Sequence, residues 1–377
     1  MPKIVVASDS FKGTLSSKEI CTIAKNTINK ILPSYEVITF PIADGGEGTV
    51  DFFIESLSFK KVPIKIKDAY FKELSAYYAI KDKVAVMEIS TLSSLYKNKL
   101  SSNNPAIASS YGLGEMINDA IENKHVKEII IGLGGSVSND AGCGCACALG
   151  AKFYNINNQE FIPLGQNLTE IKDIDLSTIK EKLANIKVTC ICDVINPMHG
   201  INGAAYVFAK QKGADNNMIK MLDDNLCYLD KFILNKYGYN YANRKRTGAA
   251  GAFGYGALVF LKASLKNGID TILKYLNFEK HLKNCDFVIT GEGKLDNQSL
   301  KGKVISGIIN ACHKCNTKIV LICGQGEKSV IENLKKDSSI IGIFQTLNNQ
   351  NYSWNEIKEN AKNDYIKSLT NILLFLK

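Results

Sequence analysis

Short apolar runs followed by polar, glycine-rich segments recur along the chain. Near the start, KIVVAS and YEVITFPIA each predict a β-strand that ends in such a segment, and an amphipathic helix follows each one. Ser16 and Glu19, three residues apart at the first helix start, form a capping-box pattern that satisfies unpaired backbone N–H groups. Two successive strand–loop–helix units favour a parallel α/β sheet.

The pattern changes after about Lys60, where hydrophobic and polar residues alternate. VPIKIKDAY, ELSAYYAIK and KVAVMEI are closely spaced and predict an antiparallel meander. A helix around Ala106 to Glu122, a strand at VKEIIIG and a small-residue helix at DAGCGCACALG follow. KVTCICDV predicts another strand, MIKMLDDNLCYLDKFIL a long helix, and GAAGAFGYGALVFLKASL a helix entered through glycines. The middle of the chain is therefore predicted to combine helices with an antiparallel meander and further strands.

The parallel pattern returns at Asp286. DFVITGEGK, TKIVLICGQ and IIGIFQTL predict strands, and a second capping box at Ser353 and Glu356 begins a C-terminal helix. We therefore expect an α/β fold: a Rossmann-like parallel-sheet domain built from both termini (1–62 and 284–377), with a second, mixed α/β domain inserted at 63–283. The active site is expected in the cleft between the two domains.

Composition and charge narrow the classes of partner. The chain has 377 residues, 45% of them hydrophobic and 22% charged, which suits a globular protein of two domains. Its net charge of +9 comes almost entirely from lysine, because Arg244 and Arg246 are the only arginines. Scattered lysines without arginines for base contacts argue against nucleic acid and are compatible with an anionic small molecule.

The cysteines and the N-terminal segment indicate the cellular compartment. Eleven cysteines, an odd number, and the absence of a signal segment in MPKIVVASDS predict a reducing, cytoplasmic environment. No apolar run reaches the roughly 18 residues that a transmembrane helix needs, so we expect no membrane partner. The clusters at Cys143–Cys147 and Cys312–Cys315 are better explained by helix packing than by metal binding, although a non-catalytic metal or iron–sulfur protein stays an alternative.

Six segments place glycine beside carboxylate, lysine or hydroxyl groups, most of them after predicted strands, where ligands bind in open α/β sheets. They are DSFKGT, ADGGEGT, GLGGSVSND, CDVINP, FAKQKGA and TGEGKLDNQSLKGK. GLGGS followed by a helix suits an anion, because glycines permit close approach and helix-start amides carry partial positive charge. No segment is a P-loop or a full dinucleotide fingerprint. A nucleotide-dependent oxidoreductase that binds NAD(P) through a glycine-rich loop is the alternative function.

The charged residues of these segments suit phosphoryl transfer. That reaction needs a group to orient or deprotonate a hydroxyl, carboxylates for magnesium, and cations against the developing charge. The carboxylates are Asp9, Asp44, Glu47, Asp140, Asp193, Glu292 and Asp296. Asp140 begins a predicted helix, where capping explains it equally well. The cations are Lys12, Lys212, Lys294 and Lys303, since two neighbouring arginines cannot form a phosphate clamp.

Together and in order, six blocks resemble the type I glycerate kinase family. They are DSFKGTLSS, PIADGGEGT, GLGGSVSNDAG, CDVINPMHGINGAAYVFAKQKGA, GAAGAFGYGAL and VITGEGKLDNQSLKGK, and the resemblance runs from Lys3 to about Gly324. It implies a two-domain α/β fold, dependence on ATP and Mg²⁺, and phosphorylation of D-glycerate, with 2-phosphoglycerate favoured over 3-phosphoglycerate. Lys294 stands where the family commonly has arginine, and Thr247 where it has proline.

The resulting hypothesis is in-line transfer of the ATP γ-phosphoryl group to a glycerate hydroxyl. Asp193 or Asp296 would position or deprotonate the hydroxyl, Lys12 and Lys303 would offset charge, and Asp44 and Glu47 are the candidates for Mg²⁺. The other expected substrate- and nucleotide-binding residues are Asp9, Ser10, Gly45, Gly46, Gly134, Gly135, Ser136, Asn139, Asp140, Asn196, Gln211, Lys212, Glu292 and Lys294. The oligomeric state, monomer or homodimer, stays open.

Overall fold

The computed structural model describes residues 1–42, 48–96, 103–297, 299–300, 303–347 and 352–376. The chain divides into two compact units: Met1–Asp44 with Asn267–Lys377, and Gly45–Lys266. The first unit is thus assembled from both ends of the chain. Within the described ranges, no helix has both the length and the apolar character needed to cross a membrane.

Strands and helices alternate over most of the chain. The strands are β1 (Lys3–Ser8), β2 (Glu36–Pro41), β3 (Lys60–Lys67), β4 (Glu73–Lys81), β5 (Val84–Glu88), β6 (Glu128–Gly132), β7 (Lys152–Tyr154), β8 (Glu160–Phe161), β9 (Asp173–Asp175), β10 (Lys187–Ile191), β11 (Ser264–Lys266), β12 (Phe287–Leu295), β13 (Lys318–Gly326) and β14 (Ile340–Gln345). The α-helices are α1 (Ser17–Ile31), α2 (Thr49–Leu57), α3 (Tyr111–Glu122), α4 (Cys143–Ala148), α5 (Ser177–Lys182), α6 (Asn216–Tyr237), α7 (Ala249–Phe260), α8 (Gly268–Tyr275), α9 (Phe278–Leu282), α10 (Val304–Cys315), α11 (Lys328–Leu334) and α12 (Trp354–Leu376).

The sheet of the first unit is entirely parallel, in the order β14-β13-β12-β1-β2. The apolar run of β1 is buried from Ile4 to Ala7, as expected for a strand covered on both faces. One face packs against α1 and α12, where the Phe11 and Tyr365 rings meet edge to face at 5.7 Å. Both predicted capping boxes are present: Ser16 N and Ser353 N each donate to a glutamate three residues on, at 2.8 Å.

The second unit is mixed. Its main sheet has the order β11-β10-β6-β5-β4-β3, in which β11, β10, β6 and β5 are parallel and β5, β4 and β3 are antiparallel. A small antiparallel sheet, β8-β7-β9, lies in the same unit. The predicted α/β fold class, with a parallel Rossmann-like sheet and a second mixed α/β part, is confirmed.

The units begin and end at different residues from the expected 62/63 and 283/284. Strand β3 spans the first of these positions and pairs with β4 along its whole length, so it belongs to the second unit. Helices α8 and α9 precede the second position and contact α10, which places them in the first unit. The pairing of β3 with β4 is a local hairpin of the predicted meander, and α2, which contacts β4 and β5, also lies in the second unit. The contacts of α8 and α9 with α10 join separate segments of the chain, which a change of alternation pattern does not report.

Candidate active site

A cavity of about 520 Å³ lies in the first unit beyond the carboxyl ends of β1, β12 and β13. Seven of the residues proposed from sequence line it: Asp9, Ser10, Lys12, Glu292, Lys294, Asp296 and Lys303. Parallel strands that end at one edge bring together residues almost 300 positions apart in the chain. The loop after β1, the end of β12 and Lys303 therefore line one cavity.

The loop after β1 is held tightly. Asp9 N donates to Gly291 O at 3.0 Å, and Phe11 and Leu15 exchange backbone hydrogen bonds at 2.8 and 3.1 Å. The Asp9 carboxylate accepts a hydrogen bond from Ser10 N at 2.6 Å. Gly13 has φ +81°, a left-handed conformation that glycine adopts without strain. This turn places Ser10 and Lys12 at the cavity.

Glu292 is the most distinctive group of the cavity. It is only 9% exposed, and its Oε1 atom is buried with no hydrogen-bond partner among the described residues. Burial raises the pKa of Glu292 to about 7. The Ser299 hydroxyl and the charge of Lys303 lower this pKa, whereas the charges of Asp9 and Asp296 raise it. Glu292 can therefore exchange a proton near neutral pH.

The neighbours of Glu292 are fixed by the end of β12 and the start of α10. Asp296 and Ser299 form a tight turn, with Asp296 N donating to Ser299 Oγ at 2.9 Å. Lys303 is the N-cap residue of α10 and lines the cavity. Lys294 is more exposed and lies 4.0 Å from Glu327, at the limit of an ion pair. The Lys294 ammonium offers a point charge without the bidentate fork of a guanidinium.

A second group of expected residues lies in the second unit, after β6. Gly134 and Gly135 form a turn, and Ser93 Oγ donates to Gly135 O at 2.8 Å. The following helix, α4, begins only at Cys143 and has six residues. The expectation that amides at Gly134, Gly135 and Ser136 belong to a helix start is therefore wrong, because residues 136–142 form a loop between this turn and α4.

Asp140 is enclosed by backbone and hydroxyl groups of its own unit. Its carboxylate is fully buried and accepts hydrogen bonds from Ser110 N and Ser110 Oγ at 2.7 Å, and from Gly142 N and Gly144 N at 3.2 Å. Burial raises the pKa of Asp140, and these hydrogen bonds lower it. Such an enclosed carboxylate organises the start of α4, which agrees with the capping explanation and not with direct contact to a ligand.

Lys212 is also buried rather than presented to solvent. It is 5% exposed, and its Nζ donates to Ser138 O at 2.7 Å, whereas its neighbour Gln211 is exposed. Burial lowers the pKa of Lys212 to about 8, whereas the charge of Asp140 raises it. Asn139 is fully buried, and neither of its side-chain amide atoms has a partner among the described residues. Lys212 supports the loop that carries Asn139.

This burial predicts a pH dependence of stability. Between pH 8 and the usual Lys pKa of 10.5, the unfolded chain binds a proton at Lys212 that the folded chain does not, so this group makes stability rise with pH in that window. Below pH 8 both states are protonated and the cost of burying the charge is constant. Urea unfolding should therefore show that the free energy of unfolding of the wild type rises from pH 8 upward. Lys212→Met should lack this rise, whereas Lys210→Met, at an exposed lysine of the same turn, should retain it. Parallel pH profiles for wild type and Lys212→Met would contradict this.

Asp193 and Asn196 follow β10, which pairs with β6, so their loop leaves the same sheet edge as Gly134–Ser136. Asn196 Nδ2 donates to Asn202 O at 2.8 Å, and Asn196 O accepts from Gly248 N at 3.0 Å. Arg246 Nε donates to Cys192 O at 3.3 Å. The sequence analysis did not include Arg246 among the candidate binding residues. The one feature that could have indicated it is that the chain has only two arginines.

A left-handed backbone run, also missed from sequence, supports the second group. Ala250, Gly251 and Ala252 have φ values of 55°, 64° and 65° inside α7, where a helix entered through glycines was expected. Gly251 O accepts a hydrogen bond from Ala141 N at 3.2 Å. Alanine is strained in this region, and such strain persists only where surrounding contacts enforce it. The run holds the loop between Ser138 and Ala141.

Four expected residues, Asp44, Gly45, Gly46 and Glu47, lie outside the described residues. Just after them, Glu88 accepts hydrogen bonds from Gly48 N and Thr49 N at 3.0 Å, so these two amides at the start of α2 are already bonded to a carboxyl group. In the described part of the chain, no three His, Cys, Asp or Glu side chains are grouped as a metal site. All eleven cysteines are free thiols, and burial raises the pKa of Cys143 and Cys145.

Comparisons with known proteins identify the family. The family model described as the glycerate kinase family matches residues 4–377. A glycerate kinase from Bacillus cereus is 38% identical over 325 residues, covering 85% of each chain, and a glycerate 2-kinase from Escherichia coli is 36% identical over 324 residues with the same coverage. A crystal structure provisionally assigned as glycerate kinase 2 from Salmonella typhimurium LT2 has a TM-score of 0.85 at 30% identity, covering 100% of this chain and 98% of that one. The chain therefore belongs to the glycerate kinase family and is a kinase.

Proposed function

We propose that this kinase transfers the γ-phosphoryl group of ATP to a hydroxyl of D-glycerate, with the 2-hydroxyl favoured. Glu292 carries the proposal: it is buried, has a pKa of about 7 and an unpartnered oxygen within the described structure, and shares a cavity with Lys12, Lys294 and Lys303. The E. coli relative named glycerate 2-kinase supports the choice of hydroxyl. The matched family and relatives are kinases, which gives no support to the oxidoreductase alternative.

In the proposed reaction, Glu292 accepts the hydroxyl proton as the glycerate oxygen attacks the γ-phosphorus. The bond from that phosphorus to the β–γ bridging oxygen breaks, and ADP leaves with the electron pair. Lys12 and Lys303 offset the charge on the phosphoryl oxygens, which is the main contribution a protein makes to such a transfer. Asp296 and Asp193, the bases expected from sequence, stay predictions; Asp296 lies in the same cavity as Glu292.

The chemistry of the cavity suits Mg²⁺. Asp9 and Asp296 both add negative charge around Glu292, which a divalent cation bound with a nucleotide offsets. Mg²⁺ in kinases is held by one or two carboxylates and by the phosphates, so Asp9 and Asp296 would hold it in this cavity. Asp44 and Glu47, the residues expected from sequence to bind Mg²⁺, lie outside the described residues. When bound, the ion supplies charge neutralisation on the phosphate oxygens.

The second unit offers groups for an organic acid. Ser136, Asn196 and the guanidinium of Arg246 lie on loops at one edge of its sheet. An arginine is well suited to pair with a carboxylate, so Arg246 is the candidate carboxylate-binding group within the second unit.

An assay of nucleotide turnover tests the proposed function. Incubation with ATP, Mg²⁺ and D-glycerate should yield ADP in proportion to the D-glycerate consumed, as measured by liquid chromatography. Omitting D-glycerate, or adding EDTA, should abolish the product. The proposal would be refuted if ADP formed at the same rate with and without D-glycerate. Reduction of NAD(P)⁺ in the presence of D-glycerate without ATP would also refute it.

A further inference from the structure

The cavity of the first unit contains an apolar surface that phosphoryl transfer does not use. Besides its carboxylates and lysines, it is lined by Leu347, Trp354 and Ile357. Glycerate carries an oxygen on every carbon, so it has no apolar surface to bury against these side chains. At about 520 Å³, the cavity has the size of pockets that enclose a whole cofactor or drug-sized ligand. A larger, partly apolar ligand fits it better.

Trp354 is held in place at this surface. It is the single tryptophan of the chain and the first residue of α12, whose start is fixed by the capping box of Ser353 and Glu356. A Cβ atom added to Gly13 would lie 2.7 Å from Cζ2 of Trp354, so the indole ring lies directly against the turn after β1. Trp354 is nevertheless 52% exposed. It is a positioned aromatic surface that remains open to a ligand.

We propose that Trp354 stacks against the nucleobase of the phosphoryl donor, a nucleoside triphosphate, with Leu347 and Ile357 covering the rest of the base. The inference rests on the proposed function, because it places the phosphates of the donor at Lys12 and Lys303. The cavity has apolar side chains and charged side chains. A nucleoside triphosphate matches both, since it has a flat base with an apolar face and anionic phosphates at the other end. Stacking of a base on an aromatic side chain raises the affinity by roughly ten-fold or more, in addition to what the phosphates contribute.

Fluorescence of Trp354 reports the contact directly, because the protein has no other tryptophan. Titration of the full chain with ADP or ATP, without glycerate, should change the tryptophan emission saturably. Inorganic tripolyphosphate, which carries the charges without a base, should bind with a much smaller change. If ATP binds by calorimetry and leaves the emission unchanged, the stacking proposal is wrong.

Substitution at Trp354 separates a stacking role from a structural one. Trp354→Ala should raise KM for ATP about ten-fold, at the lower end of the effect measured for removing a stacked aromatic, with kcat and KM for glycerate nearly unchanged. Trp354→Phe, which retains a ring, should stay within about three-fold of wild type. Phe375→Ala is the matched control, since Phe375 is an aromatic of the same helix that is 83% exposed and does not line the cavity.

The outcomes distinguish this inference from the proposed function. An unchanged KM for ATP in Trp354→Ala, in an enzyme that phosphorylates D-glycerate, overturns the stacking proposal alone. Saturable fluorescence changes with ATP but not with tripolyphosphate, in a protein that does not phosphorylate D-glycerate, support the stacking and reject the acceptor. Equal losses in KM for ATP and KM for glycerate would show a general disturbance of the site and would also overturn it.

Discussion

Glu292→Gln is expected to lower kcat on the order of 10²–10³-fold, because the amide has nearly the same shape but cannot accept the hydroxyl proton. In the wild type, kcat/KM should rise as the pH increases through about 7, where Glu292 becomes ionised. The variant should lack this limb of the pH profile. Initial rates of ADP formation across the pH range, at saturating ATP, measure both effects.

Stability provides an independent check on the same residue. The folded state holds the Glu292 proton up to about pH 7, whereas the usual pKa is 4.5, so the contribution of this group to stability is lost as pH rises between these values. Glu292→Gln should therefore be as stable as the wild type or more stable above pH 7. The matched control is Glu327→Gln, at a half-exposed carboxylate of the same unit. A near-normal kcat with an unchanged pH limb in Glu292→Gln would remove Glu292 from the mechanism.

Gly251→Ala is expected to destabilise the protein by about 3–4 kcal/mol. The Cβ atom would lie 2.0 Å from Ser138 O and 2.7 Å from Asn139 Cα, both backbone atoms, so the loop after β6 would have to move. A left-handed φ of +64° adds strain for any residue with a Cβ atom. Because the same loop carries Ser136 and Asn139, catalytic activity should fall together with stability. Urea unfolding and the turnover assay measure the two effects.

Gly238→Ala separates the clash from the backbone strain. Gly238 has a similar φ of +71°, but a Cβ atom there would have nothing within 4 Å. Its substitution should therefore show only the conformational cost, about 1 kcal/mol. Equal losses of unfolding free energy at Gly238 and Gly251 would mean that close packing of the left-handed run against the loop contributes nothing.

Much of the fold follows from local patterns. The strands of the first unit and both capping boxes could be predicted because period-two and apolar runs, and residues three positions apart, act over short distances. The limits of the units could not be predicted, since they depend on contacts of α2 with β4 and β5, and of α8 and α9 with α10, which join separate segments of the chain. The left-handed run at Ala250–Ala252 could not be predicted either, because alanine, the strongest helix former, occupies two of its three positions.

The candidate site shows the same division. The motifs predicted which residues lie near the strand ends, and six charged residues and Ser10 line one cavity, but the exposure of each side chain depends on packing. Asp140 and Lys212 belong to the right segments and are enclosed, whereas Glu292 combines burial with an unpartnered oxygen in the described structure. Trp354 lies in none of the six glycine-containing segments, and only the fold brings it to the cavity.

Proton-coupled ³¹P NMR of the reaction with ATP, Mg²⁺ and D-glycerate tests the central claim most directly. The account predicts a new phosphomonoester signal split into a doublet, because the phosphorus of 2-phosphoglycerate couples to a single carbon-bound proton, together with the signals of ADP. A triplet would indicate transfer to the 3-hydroxyl and would correct the choice of hydroxyl. Inorganic phosphate alone, or an unchanged ATP spectrum, would contradict transfer to glycerate altogether.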